Sequence, residues 1–285
     1  MDPPPLGGPP PPSRWNIAAN ICDGMILGSC FSLIVFLLIK LRFTKFSIVQ
    51  LIGLVAYIIS SSAYTTLNGL PEDFKLYNIA IASISNAFGR AMQSEIMTQF
   101  YITLTNGVSS EKRKMIFAGI GRLMWVLVML AGIAEGTVFM IFGPGIALHN
   151  QVVVVAVTYI SLLCGLVNAA QFLDMILVMT DAHGRLMESL KNKNFLQLFV
   201  LSIIVLGSEI LAAVISAVAI SAASNNRTDP TISIFFSKLT IITSCVGLVL
   251  LQESIVKYVK ARSEAITKSQ TSRVKSSTVK SSTSP

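Results

Sequence analysis

Charged residues are scarce in this chain: they make up 13% of its 285 residues, whereas 53% are hydrophobic. A soluble domain normally carries about 25% charged residues, so this composition excludes an ordinary soluble fold. Proline is missing from every long apolar segment: beyond the N-terminal tail it occurs only at Pro71, Pro144, Pro230 and Pro285. The four cysteines all fall inside apolar segments, and no catalytic or metal-binding motif is present. We therefore expect no extracellular disulfide, metal, cofactor or catalytic residue.

Seven apolar segments are long enough to cross a bilayer, which takes about 20 residues of helix. They are 17–39, 46–67, 77–104, 116–142, 152–179, 195–222 and 231–256. The sequence thus predicts an all-α membrane protein with a seven-transmembrane helix bundle over 17–260. A disordered Pro-rich tail, 1–16, precedes the bundle, and a disordered basic tail rich in Ser and Thr, 261–285, follows it.

Basic residues predict the orientation of this bundle. Sixteen of the 22 Lys and Arg residues lie around the connections after the first, third and fifth segments or in the C-terminal tail. Since basic connections remain in the cytoplasm, the N-terminus is predicted outside and the C-terminus cytoplasmic. The net charge of +8 then reflects topology and contact with anionic lipid rather than nucleic acid. Asn226 begins the only N-x-S/T sequon, on the predicted outer side, and is a predicted glycosylation site.

Polar side chains recur along one face of the third segment. On a helix they fall within a band roughly 120° wide, in steps of three and four. They are Ser83, Asn86, Arg90, Ser94, Thr98, Tyr101 and Thr105. Such a stripe cannot face lipid, so the third helix is predicted to be the central helix of the bundle. The stripe faces either a wet cavity or a packing seam without a ligand.

Similar periodicity occurs in the last two segments. Polar residues repeat there every seven positions, at Ser202, Glu209 and Ser216 and at Thr231, Lys238, Cys245 and Gln252. We expect both rows to face the same interior as the third helix. The predicted buried polar network comprises Asn86, Arg90, Ser94, Glu95, Glu135, Asp174, Glu209 and Lys238.

Ionisable groups at mid-bilayer cost about 2.5–3.5 kcal/mol each, so these should pair or face water. We expect Arg90 to pair with Asp174 or Glu209, and Lys238 with Glu135. Asp23, near the outer boundary, is expected to be hydrated.

Three functions from different classes suit such a core. A receptor would shift between two helix packings when an outer ligand binds. A small-solute or proton-coupled transporter would show internal repeats and helices broken near the midplane, and neither is evident. An intramembrane enzyme or photoreceptor has the least support, because Lys238 is too near the helix end for a retinal site. The receptor ranks first and the transporter second.

The bundle also resembles one family of G-protein-coupled receptors. Gly24 and Gly28 form a small-xxx-small pair in the first helix, and Gln50 lies early in the second. The third helix ends through Ser94-Glu95-Ile96 and Gln99 into Asn106-Gly107 and a basic loop. Together these features resemble the fungal peptide-pheromone receptors of the alpha-factor type, whose prolines in the sixth and seventh helices are absent here.

The resemblance implies a plasma-membrane receptor for a secreted peptide, bound at the outer mouth. Gly24 and Gly28 would help it to form a homodimer, although the residues alone favour packing within one chain. Lys112, Arg113, Lys114 and Arg185 would contact a heterotrimeric G protein. Phosphorylation would fall on Ser276, Ser277, Thr278, Ser281, Ser282 and Thr283.

Overall fold

The computed structural model describes residues 14–40, 45–66, 71–106, 109–142, 148–182, 193–225 and 230–281, and this part of the chain contains helices and no strand. The helices are α1 (Arg14–Lys40), α2 (Lys45–Thr66), α3 (Glu72–Thr105), α4 (Glu111–Phe142), α5 (Leu148–Ala182), α6 (Lys193–Asn225) and α7 (Pro230–Ser281). Each corresponds to one predicted segment, so the all-α prediction is confirmed.

Six of these helices are long and apolar enough to cross a membrane, and α3 is the exception. Its 34 residues would extend over about 51 Å, so length is not what disqualifies it. The polar stripe leaves α3 without a stretch as apolar as those in the other six helices. A helix enclosed by other helices needs no apolar surface on every side, because protein rather than lipid surrounds it.

The helices close into a ring. Each packs against the next in sequence, from α1 against α2 to α6 against α7, and α7 returns to pack against α1. In addition, α3 contacts α5 and α7. It therefore lies toward the middle of the bundle rather than in the ring alone.

Burial along α3 agrees with this position. No residue between 82 and 105 is exposed, and Ser94, Thr98 and Thr105 are each 0% exposed. The outer helices differ, since they carry large exposed apolar side chains such as Leu130 on α4 and Leu163 on α5. An outward apolar surface of this extent suits a lipid bilayer.

Close contact between α3 and α4 depends on glycines of α4. A Cβ atom added to Gly132 would lie 2.1 Å from the Cβ atom of Ala87, and one added to Gly136 would lie 2.6 Å from Cγ1 of Ile84. Nearer the start of α4, a Cβ atom added to Gly121 would lie 2.2 Å from the hydroxyl oxygen of Thr98. These glycines let the two backbones approach more closely than any side chain would permit.

The end of the bundle that carries the basic residues is here called the basic end. It includes the C-terminus of α3 and the N-termini of α4 and α6. Aromatic residues pack together there, with 5.6 Å between the ring centroids of Phe46 and Phe100 and 6.3 Å between those of Phe195 and Tyr258. The first pair joins α2 to α3 and the second joins α6 to α7, and all four rings belong to or pack against one hydrophobic cluster.

Gly24 and Gly28 do not pack against any described residue of the chain, in contrast to the expectation favoured by the residues alone. A Cβ atom on either would meet nothing within 4 Å. Both glycines are exposed, because α1 turns its buried side, with Cys22, Ile26 and Cys30, toward the bundle. The small-xxx-small pair therefore faces away from the interior.

The C-terminal segment also differs from expectation. The sequence predicts a disordered tail over 261–285, whereas α7 continues as a helix to Ser281. No glycine or proline interrupts the chain between Gly247 and Pro285, so nothing in the backbone stops the helix once the membrane-spanning part has nucleated it.

Candidate functional site

Near the centre of the bundle, one carboxylate is surrounded by hydroxyl and amide groups. Glu209 on α6 is 7% exposed. It accepts a hydrogen bond from Asn168 on α5, with 3.4 Å between Nδ2 and Oε2, and one from Ser244 on α7, with 3.2 Å between Oγ and Oε1. Ser94 of α3 donates to Asn168 Oδ1 at 3.1 Å, and Ser208 lies 3.0 Å from Ser244. The cluster thus joins α3, α5, α6 and α7 through side chains that are all buried.

Arg90, halfway along α3, does not pair as predicted. Its Nη2 atom donates to Ser237 Oγ on α7 at 2.8 Å. Glu209, the other predicted partner, accepts its hydrogen bonds from Asn168 and Ser244. Asp174 is out of reach, because it bonds to Tyr101, which lies about 16 Å further along α3.

Two other predicted members of the network, Glu95 and Asn86, make no hydrogen bond to another helix within the part of the chain that the structure describes. Glu95 accepts a hydrogen bond from Gln99, with 2.8 Å between Nε2 and Oε1, and both residues lie on α3. Asn86 is half-buried one turn before Arg90. Neither residue takes part in the hydrogen bonds around Glu209.

At the end opposite to the basic end, Lys238 of α7 forms an ion pair with Asp23 of α1. The two side chains are 13% and 2% exposed, and the Lys238 ammonium lies 5.1 Å from the centre of the Tyr64 ring. The predictions of a hydrated Asp23 and of a Lys238–Glu135 pair are therefore wrong. The physical reason is that α7 packs against α1, so a buried cation meets the carboxylate and removes it from water.

At the basic end, Asp174 of α5 joins three helices. Its carboxylate accepts a hydrogen bond from Tyr101 of α3, with 2.7 Å between the oxygens, and forms an ion pair with Arg113 of α4. Beside it, Gln171 donates to the carbonyl oxygen of Phe117 at 2.8 Å. Tyr101, Asp174 and Arg113 are called the basic-end cluster below.

We expect replacement of Arg113 by alanine to lower the free energy of unfolding by about 1–3 kcal/mol. A fully buried carboxylate that loses its partner costs about 3–5 kcal/mol, but the Arg113 side chain is 48% exposed and solvent weakens the pair. Thermal unfolding of the purified protein in detergent measures the effect. Lys112→Ala, an exposed neighbour, serves as control and should change stability by less than about 0.5 kcal/mol. Equal losses in the two variants would contradict the proposed role of the ion pair.

The predicted G-protein contacts divide into two groups in the structure. Lys112 is exposed, but Lys114 is 7% exposed and binds Asn106 and Glu111. Arg113 is held by Asp174.

Arg185, Asn226, Ser282 and Thr283 lie outside the described residues. The backbone of α7 includes Ser276, Ser277, Thr278 and Ser281, whose side chains are likewise not described.

Other polar contacts were not anticipated from the sequence. The Tyr57 hydroxyl donates to Gln93 Oε1 at 2.9 Å, and Gln93 Nε2 donates to Cys245 Sγ at 3.3 Å. On α2, both amide atoms of Gln50 are buried without a hydrogen-bond partner among the described residues. Gln93 is seven residues after Asn86, so on a helix it lies about 20° from Asn86, at the same edge of the polar stripe. The sequence therefore carried a signal for Gln93 that the predicted stripe left out.

The fold and composition define an α-helical, multi-pass membrane protein. No protein-family model matches the chain, and no curated protein matches it by sequence. Within the described residues there is no group of three or more His, Cys, Asp or Glu side chains that could hold a metal ion. All four cysteines are free and buried, as expected for small core residues.

Proposed function

We propose that the chain is a seven-transmembrane cell-surface receptor that couples to a heterotrimeric G protein. The observation that supports this best is the closed ring of helices around α3. Side chains of α3 bind α5 and α7 through the Glu209 and Arg90 contacts. In the basic-end cluster, Tyr101 of α3 binds Asp174 of α5, which in turn pairs with Arg113 of α4. A central helix bound at several levels suits a bundle that converts a change at one end into a change at the other.

The proposal places the N-terminus outside and the basic end in the cytoplasm. Support comes from the basic residues, which mark the cytoplasmic side of most membrane proteins. Lys112, Lys193 and Lys257 are exposed there and would face the partner protein. A secreted peptide would bind at the opposite end, as the resemblance to pheromone receptors implies. The outward-facing Gly24 and Gly28 would form the contact of a homodimer.

A small-solute or proton-coupled transporter is the alternative. Such transporters usually bind their substrate where helices are broken near the midplane. Each of the seven helices is continuous over its described range, which favours the receptor. The observation that favours the transporter is the buried carboxylate of Glu209, because buried acidic residues carry protons in proton-coupled transporters. Substrate-driven uptake into proteoliposomes, without any binding of a G protein, would support the transporter.

Binding of purified G-protein heterotrimers to the protein in nanodiscs tests the receptor proposal. We expect Lys112→Gln combined with Arg185→Gln to weaken binding roughly tenfold, because each charge at an exposed interface contributes up to about 1 kcal/mol. Arg113 and Lys114 are left intact, since their contacts lie within the protein. Lys75→Gln, near the opposite end, is the matched control and should bind as the parent does. Absence of binding by heterotrimers of every Gα class would overturn the proposal.

A further inference from the structure

Arg122 is a charged residue on the outward, apolar side of α4. Its side chain is exposed, as are those of Met115, Leu123 and Val126 on the same side of the helix. Among the described residues it makes no hydrogen bond and no ion pair. A cation surrounded by acyl chains is costly in free energy. Its guanidinium therefore needs a polar partner that comes from outside the chain.

The position of Arg122 lets it reach the level of the lipid headgroups. Its Cα atom lies eleven residues after the start of α4 at Glu111 and seven after Met115, the first exposed apolar residue of the helix, or about 10 Å below Met115. Helical side chains tilt toward the N-terminus of their helix, and the N-terminus of α4 is at the basic end. Arg122 therefore extends toward the membrane surface and not toward the midplane.

The space that the Arg122 side chain crosses is open. A helical side chain covers the turn that precedes its own Cα atom, and this turn carries the small residues Ala118 and Gly119. Gly119 is exposed, and a Cβ atom added to it would meet nothing within 4 Å. A group from outside the chain can therefore approach the guanidinium closely beside Gly119.

The surrounding charge favours a negative group at this place. Lys112 is exposed on the same side of α4, about 80° around the helix from Arg122 and nearer the surface. The carboxylate of Glu111 is beside it, but that carboxylate pairs with Lys114. A headgroup with a positive outer group is repelled by Lys112, whereas one with a negative outer group is attracted.

We propose that Arg122, with the open space beside Gly119, binds the phosphate of an anionic phospholipid in the leaflet at the basic end. A guanidinium suits this ligand because two parallel N–H donors match two phosphate oxygens. A second copy of the chain suits it less. Among the residues whose exposure is described, Glu111 is the one exposed acid, and it lies at the end of the helix rather than at the depth of Arg122. The site requires a membrane-spanning chain, and it does not depend on the receptor function.

Quenching of Trp125 by brominated lipids tests the site. The chain has two tryptophans, so Trp15→Phe leaves Trp125 as the one fluorophore. Trp125 is half-buried one turn beyond Arg122, where the acyl chains of the bound lipid pass. In bilayers of unbrominated phosphatidylcholine, brominated phosphatidylserine and brominated phosphatidylcholine are compared at equal mole fractions. We expect the quenching to show about fivefold stronger binding of phosphatidylserine.

Variants assign this preference to Arg122. Arg122→Gln should make the two lipids quench equally, and Arg122→Lys should retain part of the preference, since an ammonium keeps the charge but not the paired donors. Gly119→Leu leaves the charge unchanged but fills the open space, so it should also weaken the preference. Lys257→Gln removes an exposed cation of α7 at the same end and is the matched control, which should bind as the parent does.

Stability measurements show that the variants are folded. Because Arg122 has no partner among the described residues, Arg122→Gln should leave Tm in lipid-free detergent almost unchanged. Equal quenching by the two lipids in the parent, or a preference that Arg122→Gln leaves intact, would overturn the proposal. Equal quenching together with a dimer that Arg122→Gln dissociates would identify a second copy of the chain as the occupant and would overturn it as well.

Discussion

Replacement of Lys238 by methionine should lower the free energy of unfolding by about 3–5 kcal/mol. The substitution keeps the length of the side chain but leaves the Asp23 carboxylate, which is 2% exposed, buried without its cation. Removing one partner of a buried ion pair carries this cost because the remaining charge has lost the opposite charge that compensates its desolvation. Denaturant or thermal unfolding in detergent measures it.

Two controls make the result specific to burial. Lys257→Met alters an ion pair with Glu253 on the same helix, but there the lysine side chain is 51% exposed, so the loss should stay within about 1 kcal/mol. The double variant Asp23→Leu with Lys238→Met removes both charges and should be more stable than Lys238→Met alone. If Lys238→Met and Lys257→Met cost the same, Lys238 and Asp23 are not a buried pair.

Replacement of Gly132 by leucine should be the most damaging change on α4, at about 3 kcal/mol. The first carbon of the new side chain would lie 2.1 Å from the Cβ atom of Ala87, and neither atom can move by rotating a side chain. The helices must separate, which disrupts the packing of α3 along its length.

Gly119 provides the matched control, because it lies on the same helix and a Cβ atom there would meet nothing within 4 Å. Gly119→Leu should therefore leave Tm almost unchanged. Both variants replace a glycine by leucine within a helix, so the change in helix propensity is the same and cancels when their Tm values are compared. Equal destabilisation by the two leucines would mean that α3 and α4 do not approach each other at Gly132.

Periodicity predicted the interior of this bundle well. The polar stripe of the third segment is buried at Ser94, Thr98 and Tyr101, and the rows spaced every seven residues place Glu209 and Cys245 inside. These patterns succeed because a helix repeats its faces at a fixed interval, so the sequence itself reports which residues share a side.

The periodicity of the sequence could not show which charged residues form ion pairs with each other. Asp23 and Lys238 are 215 positions apart, and only the closure of the ring between α1 and α7 brings them together. Arg113 and Lys114 appear in the sequence as part of a basic loop, yet both form ion pairs within the protein. Arg113 pairs with Asp174 of α5, and Lys114 pairs with Glu111 on its own helix. Charge patterns report the end of the bundle where a residue lies, but not the carboxylate it meets.

The glycine pairs illustrate the same limit. Gly24 and Gly28 have the same spacing as Gly132 and Gly136, but among the described residues only the second pair packs against another helix. The spacing shows that one side of a helix has no bulky side chains. It does not show which helix, if any, packs against that side, because that depends on where the other helices lie. A matching row on α3, with Ala80 and Ala87 among its small residues, was the available signal that α4 would pack there.

A spin-label scan of α3 tests the central claim most directly. One label at a time would be placed from 82 to 105 in a background without the four native cysteines, in lipid bilayers, and its accessibility to oxygen measured. Since no residue in this range is exposed, accessibility should remain low throughout, without a helical period, whereas a parallel scan of α4 should rise at its exposed Leu123 and Leu130. Oxygen maxima recurring every three or four residues along α3 would place one of its faces in lipid and contradict the enclosed central helix.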